Sequence, residues 1–198
     1  NIYEEDGYGL RPNISLRGTK AERSERISLM EDGILAAPAP YAAPAAYYFP
    51  NVARMYAIEV LKGSSQVQYG PFTTGGAVNM VSTPIPKSFQ AGLRTSYGSF
   101  GTFNTYAHLG SDHKYVGYLV EYLRYQSKGF KKDEPNERTG FYRNDVVGKL
   151  RIHSDEDAEI RQALELKLGF SNEHSDESYV GLSEQDFASR PYYRYRGA

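Results

Sequence analysis

With 198 residues, 40% of them hydrophobic, and a formal net charge of -1, the chain has material for one ordinary core or two incomplete ones. It lacks the global basic field that recruits nucleic acid. The absence of Cys excludes disulfides and thiolate metal sites without assigning a compartment. Eighteen Tyr, nine Phe and nineteen Gly with no Trp favour strands, tight turns and interfacial aromatic girdles over helix-rich architecture.

No stretch approaches the roughly 20 consecutive apolar residues of a membrane-spanning helix. A β-barrel is therefore the only spanning option. The opening residues, Asn1-Ile2-Tyr3-Glu4-Glu5-Asp6, contain neither a basic n-region nor an apolar h-region. Such a start suits a cytoplasmic protein, and equally a mature or truncated piece of an exported one.

Residues 1–86 read as a compact α+β segment. Short apolar runs, Ile27-Ser28-Leu29-Met30 and Ala57-Ile58-Glu59-Val60-Leu61, alternate with turn signals at Asp32-Gly33, Gly63-Ser64 and Gly75-Gly76. Within it, residues 38–50 read PAPYAAPAAYYFP, and the prolines deny that stretch regular helix. A linker is one reading. Tyr41, Tyr47 and Tyr48 make a ligand-touching surface the competing one.

From about Phe89 the pattern changes to period-2 alternation, which sends successive side chains to opposite faces. Five strands are predicted, near 89–98, 103–110, 115–126, 140–153 and 162–172, several of them matching the roughly 9–11 residues of a membrane-spanning strand. In the last, Leu164, Leu166, Leu168 and Phe170 oppose Ala163, Glu165, Lys167 and Gly169. In the fourth, Val146, Leu150 and Ile152 oppose Arg143, Asp145, Lys149 and Arg151, with Val147 as the exception. Residues 99–102 and 111–114 form tight turns, whereas 127–139 and everything after 172 are long, polar and charged. Outer-membrane barrels show that asymmetry, with long connections outside. A soluble antiparallel sandwich alternates in the same way, and the pattern alone does not choose between them.

Along the first segment stand Asn13-Ile14-Ser15-Leu16-Arg17-Gly18, Glu31-Asp32-Gly33-Ile34, Ile58-Glu59-Val60-Leu61-Lys62-Gly63, Tyr69-Gly70 and Gly75-Gly76-Ala77-Val78-Asn79-Met80-Val81. Each alone is a common fragment. In this order and spacing the series resembles the plug domain of TonB-dependent receptors, the plugged β-barrel transporters of Gram-negative bacterial outer membranes. The resemblance implies an all-β antiparallel transmembrane barrel, about 22 strands when complete, with an α+β plug in its lumen. It makes residues 1–86 the C-terminal part of the plug, and 87–198 the first five or so strands with their extracellular loops.

Arg17, Gly18, Asp32, Gly33, Glu59, Lys62, Gly63, Tyr69, Gly70, Gly75, Gly76 and Asn79 are then the plug's structural motif. Inside a polar lumen Arg17 and Lys62 need carboxylate or carbonyl partners, with Glu121 and Glu165 as candidates. Lys62 stands where the family more often has Arg, and a Lys cannot form the bidentate fork.

The implied activity is import of a ferric chelate, not enzymatic catalysis, with TonB and ExbB/ExbD as periplasmic partners and outer-membrane lipid around the barrel. The segment 38–50 resembles the ferric-citrate-receptor-like branch, whose cargo is an iron chelate; another siderophore, haem or cobalamin is the alternative. Tyr41, Tyr47, Tyr48 and Arg54 are the plug's candidate ligand residues. Arg190 and Arg194, interleaved with tyrosines in the late segment 179–196, are those of a loop, suited to an anionic chelate by charge and stacking. No resident cofactor or protein metal site is expected, since the iron arrives chelated. The rival functions are a passive porin or adhesin, which has no use for a plug, and a hydrolase, for which no nucleophile and base stand together.

Overall fold

The computed structural model describes residues 1–4, 7–36, 43, 48–70, 73–131, 139–176 and 180–195. Two units divide the chain, Asn1–Thr83 and Pro84–Ala198.

In the first unit β1 (Ile2–Tyr3) pairs with β2 (Asn13–Ile14). A four-stranded sheet follows, built from β3 (Ile27–Glu31), β4 (Ile34–Leu35), β5 (Met55–Leu61) and β6 (Gly76–Ser82) in the order β4-β3-β6-β5. The β3–β4 connection is the two-residue turn Asp32-Gly33, with φ of 52° and 80°. Two successive positive φ values define the type I′ hairpin, which Asp-Gly favours. β3 and β6 run parallel and in the centre, so their side chains, Ile27, Leu29, Val78 and Met80, are buried with Phe49 as the core. Helical structure in this unit, among the described residues, is limited to the 3-10 segments Glu22–Ser24, Val52–Arg54 and Ser64–Tyr69.

The second unit is one antiparallel sheet of β7 (Gln90–Gly98), β8 (Thr102–Asp112), β9 (Val116–Ser127), β10 (Phe141–His153) and β11 (Ala163–Ser175), paired in sequence order. Cross-strand register sorts its side chains into rows. One face carries Leu168–Gly148–Val120–Leu109–Ala91 and Phe170–Val146–Tyr122–Ala107–Leu93. The other carries Ser171–Asp145–Leu123–Tyr106–Arg94 and Glu173–Arg143–Tyr125–Asn104–Ser96.

Burial assigns the two faces. Leu164, Leu168 and Phe170 are 70%, 66% and 66% exposed, whereas Arg143, Asp145 and Glu121 are 2%, 2% and 1% exposed. A water-soluble sheet has the reverse polarity, because burying apolar area is its driving force. An apolar face of five long strands turned outward is what hydrocarbon surroundings require, and it decides against the soluble sandwich. Several charges of the polar face meet partners within it. Arg143 Nε donates to Asp145 Oδ1 at 3.0 Å, Ser171 Oγ donates to the same oxygen at 2.6 Å, and Arg151 Nε and Nη2 both donate to Glu165 Oε2 at 2.9 and 2.8 Å.

After β11, within the segment expected as a long polar loop, residues Glu184–Ser189 form a short helix, α1.

Gly76 is the tightest point of the first sheet. Its φ is 145°, and an added Cβ would come within 2.7 Å of both the Leu61 carbonyl oxygen and Leu16 Cδ1. Gly76→Ala is expected to cost about 1–3 kcal/mol, the range for a residue forced into sparsely populated backbone. Hydrogen exchange across β5 and β6 checks this, with protection falling there and unchanged in β7–β11.

Candidate functional site

The motif residues of the first unit converge on the β3–β4 turn. Asp32 extends both carboxylate oxygens to Ser82, accepting from its backbone N–H at 2.8 Å and its hydroxyl at 2.5 Å. The Asp32 N–H donates to the Met80 carbonyl at 3.0 Å, and the Gly33 N–H donates to Asn79 Oδ1 at 2.8 Å. Asn79 is oriented in turn by donating Nδ2 to Glu59 Oε2 at 2.8 Å, across the β5–β6 pair where the two residues stand opposite. A turn that would otherwise be a mobile tip is thus fastened to the far end of β6. Its role is to hold geometry, and no group in it is poised for bond making.

The other motif positions serve the backbone. Gly18, Gly63 and Gly70 have φ of 75°, 105° and 103°, and Arg17 itself adopts φ 57°. A Cβ on Gly75 would approach the Arg26 carbonyl oxygen to 2.9 Å. The Tyr69 carbonyl accepts from Ser28 Oγ at 3.2 Å. Arg17 and Lys62 are exposed rather than buried as expected. The candidate carboxylates are engaged elsewhere: Glu165 by Arg151, and Glu121 by the Tyr106 hydroxyl at 2.5 Å.

Arg54 does not present its charge to solvent, as a ligand-facing role requires. It is 4% exposed, and its guanidinium forks onto Glu31, with Nη1 to Oε1 at 2.7 Å and Nη2 to Oε2 at 2.8 Å. The same Nη2 donates to the Tyr48 hydroxyl at 3.3 Å, and the Arg54 carbonyl accepts from Thr83 Oγ1 at 3.2 Å. The 3-10 segment that carries Arg54 is capped by Asn51, whose Oδ1 accepts from the Ala53 N–H at 2.9 Å. Arg54 therefore positions Tyr48, which is half-buried. Tyr41 and Tyr47 lie outside the described residues.

In the second unit α1 organises the late segment. Ser183 is its N-cap, accepting from the Asp186 N–H at 3.1 Å while its hydroxyl donates to Asp186 Oδ2 at 2.9 Å. Asp186 is the hub: it also accepts from the Tyr195 hydroxyl, and from Arg190 Nε at 2.8 Å. The Tyr195 hydroxyl, then Arg190, then Ser183 pull its carboxyl from the usual value down to about 2. Arg190 lies 3.8 Å over the Tyr193 ring and stays half-exposed, which leaves a stacked cation facing solvent. Arg194 is turned back, its Nη1 donating to the Asp176 carbonyl at 2.9 Å. The sequence carried two signals for this: Ser183-x-x-Asp186 is a capping arrangement, and Asp186 and Arg190 are spaced i,i+4.

With both units in place, comparison with known proteins is informative. Residues 1–77 match the family model described as the TonB-dependent receptor plug domain. The structure superposes on the siderophore receptor PirA from Acinetobacter baumannii with a TM-score of 0.64 and 17% identity, over 90% of this chain and 29% of that one. The copper transporter OprC gives 0.64 at 18% identity, over 88% of this chain and 26% of that one. The pyoverdine outer membrane receptor FpvA from Pseudomonas aeruginosa PAO1 gives 0.60 at 16% identity, over 87% and 23%. The fold is that of a TonB-dependent receptor. The chain spans under a third of the length of these receptors, with the plug-model match falling in the first unit and the five-strand sheet in the second.

Removing one partner of a buried, forked pair strands the other charge, so Glu31→Ala is expected to destabilise the plug by about 3–5 kcal/mol. Urea unfolding followed by hydrogen exchange in β3 and β6 measures this. Loss of ligand binding at unchanged plug stability would instead give Arg54 a direct contact with the cargo.

The α1 hub has a defined pH response. A depressed carboxyl contributes stability above its unfolded value, and that contribution disappears as pH falls through the folded one. Helix α1 is thus expected to keep its order at pH 4–5 and to lose it towards the folded value of about 2. In Tyr195→Phe the loss moves to higher pH. Carboxyl titration of Asp186 by NMR reads both.

Proposed function

We propose that the chain belongs to a TonB-dependent outer-membrane receptor that brings a ferric chelate, ferric citrate or a siderophore complex, into the periplasm. The observation that carries this reading is the succession of a plug-family unit by five strands with an apolar outward face. A passive porin or adhesin uses such strands without a plug.

TonB, driven by ExbB/ExbD, is the periplasmic partner that pulls on the plug, and outer-membrane lipid contacts the apolar face. No covalent bond is made or broken. Iron is cargo that arrives chelated, and the import cycle needs no resident cofactor. The similar receptors differ in cargo, judging by the siderophore, copper and pyoverdine in their names, so the cargo class is argued from this chain's own residues. A tyrosine-rich plug segment at 38–50 and the half-exposed Arg190 stacked on Tyr193 offer aromatic faces and positive charge. That combination suits an anionic chelate.

The experiment is uptake of radiolabelled iron by cells expressing the full-length parent, with and without functional TonB, supplied as ferric citrate or as a ferric siderophore. TonB-dependent accumulation of one chelate is expected. Equal uptake in TonB-deficient cells makes the protein a passive pore and removes the energised-import reading.

A further inference from the structure

The outward face of β7–β11 contains one formal charge. Its rows hold no Asp, Glu or Lys, and Arg124 is the single Arg. Arg124 occupies the row Asn172–Asn144–Arg124–Thr105–Thr95. The neighbouring row on one side is apolar, Phe170–Val146–Tyr122–Ala107–Leu93, and on the other side is the aromatic-rich row His174–Tyr142–Gln126–Phe103–Tyr97. The cation thus sits where the apolar band ends and the aromatic belt begins. This is also the end of the sheet from which the long connections after Ser127 and Ser175 leave.

The side chain is held in place by neutral groups. Its Nε donates to Gln126 Oε1 at 2.8 Å, its Nη1 donates to Asn144 Oδ1 at 2.9 Å, and the guanidinium lies 5.6 Å from the centre of the Tyr142 ring. Asn144 Oδ1 is fixed by a second donor, the Tyr122 hydroxyl at 3.1 Å. Among the described residues no carboxylate pairs with Arg124, and its Nη2 makes no hydrogen bond. On the opposite face, by contrast, Arg143 and Arg151 both meet carboxylates. Holding a guanidinium rigid costs side-chain entropy, and among the described residues no carboxylate compensates for it.

We propose that Arg124, with Asn144, Tyr142 and the adjacent Asn172, is a headgroup site for a phosphate-bearing lipid of the outer leaflet. The proposal rests on the outer-membrane reading given above, which sets the long-connection end at the outside. At that depth acyl chains lie along the apolar rows and headgroup phosphates reach the Arg124 row. A guanidinium with an uncommitted edge binds phosphate oxygens through charge-assisted hydrogen bonds. Asn172 and the Tyr142 ring flank the headgroup. The neutral acceptors fix the fork without neutralising it, leaving its charge for the lipid.

The test uses the full-length parent, extracted from outer membranes in mild detergent, with native mass spectrometry counting the phosphorylated glycolipid retained per barrel. Wild type should retain it, Arg124→Gln should lose about tenfold, the usual effect of removing one charged hydrogen-bond partner, and Arg124→Lys should fall between. Millimolar inorganic phosphate should leave the lipid in place. Retention by Arg124→Gln equal to wild type, with heat-modifiable barrel mobility intact in both, overturns the proposal. Displacement by free phosphate makes the site one for a soluble anion, and altered self-association without lipid loss makes it a contact between copies; either result also overturns it. If the parent does not fractionate with outer membranes or shows no heat-modifiable mobility, the outer-membrane reading fails first and the lipid site with it.

Discussion

The inverted polarity of the five-strand sheet is the constraint to which the other features answer. When leucines and phenylalanines face outward, the face behind them receives the charges, and a buried charge is tolerated only with partners. The register supplies those partners. Arg143 stands opposite Glu173, and Arg151 stands opposite Glu165, so strand pairing that aligns the apolar rows outside also aligns opposite charges inside. A one-residue slip would turn every side chain to the wrong face, placing Arg143, Asp145 and Lys149 among the outward leucines and phenylalanines. The same register is therefore required by both faces, and this makes it well specified despite sparse apolar packing between the strands.

The plug follows another logic. Its core is small, Ile27, Leu29, Phe49, Val78 and Met80, and it cannot by itself hold long turns in place. Polar fastenings between distant segments take over: Asp32 to Ser82 is 50 residues apart in sequence, Gly33 to Asn79 is 46, and Arg54 to Glu31 is 23. Each ties a turn or loop to the central β3–β6 pair. Hydrogen bonds are directional and weaken steeply once their geometry is lost, whereas apolar burial is non-directional and scales with area. On the proposed import reading, in which this unit both blocks a lumen and is moved aside, that choice serves both demands.

The strands were legible because alternation is a local property. The predicted segments 103–110 and 162–172 fell short of β8 and β11 at Asp112 and Ser175, where polar residues continue the ladder and hydrophobicity no longer marks it. Which face is outward was not legible, because period-2 alternation is unchanged when the faces are exchanged; only burial distinguishes a barrel from a sandwich. The Asp32-Gly33 turn was readable for the same local reason as the strands. The role of Arg54 was not, since its partner Glu31 lies across an intervening proline-rich segment and nothing in sequence spacing links them. Helix α1 carried its signal openly in Ser183, Asp186 and Arg190, but six residues are too few for hydrophobic periodicity to register.

Three arginines show how one side chain is put to different uses by its surroundings. Arg54, buried and forked onto Glu31, has its charge consumed by the protein and acts through Tyr48. Arg190 divides its guanidinium between Asp186 and the Tyr193 ring, which keeps it oriented while half-exposed. Among the described residues Arg124 meets amide oxygens and a ring and no carboxylate, so its orientation is fixed without an ion pair. Ordered by how much positive charge remains for something outside the chain, the series runs Arg54, Arg190, Arg124. Coulombic attraction strengthens as the local dielectric falls, so an uncompensated cation at the rim of an apolar band attracts an anion more strongly than the same cation on a water-exposed loop. On the proposed outer-membrane reading, Arg124 is therefore the best placed of the three to hold a lipid phosphate, while a cargo that must be bound and then released is better met by the partly satisfied Arg190.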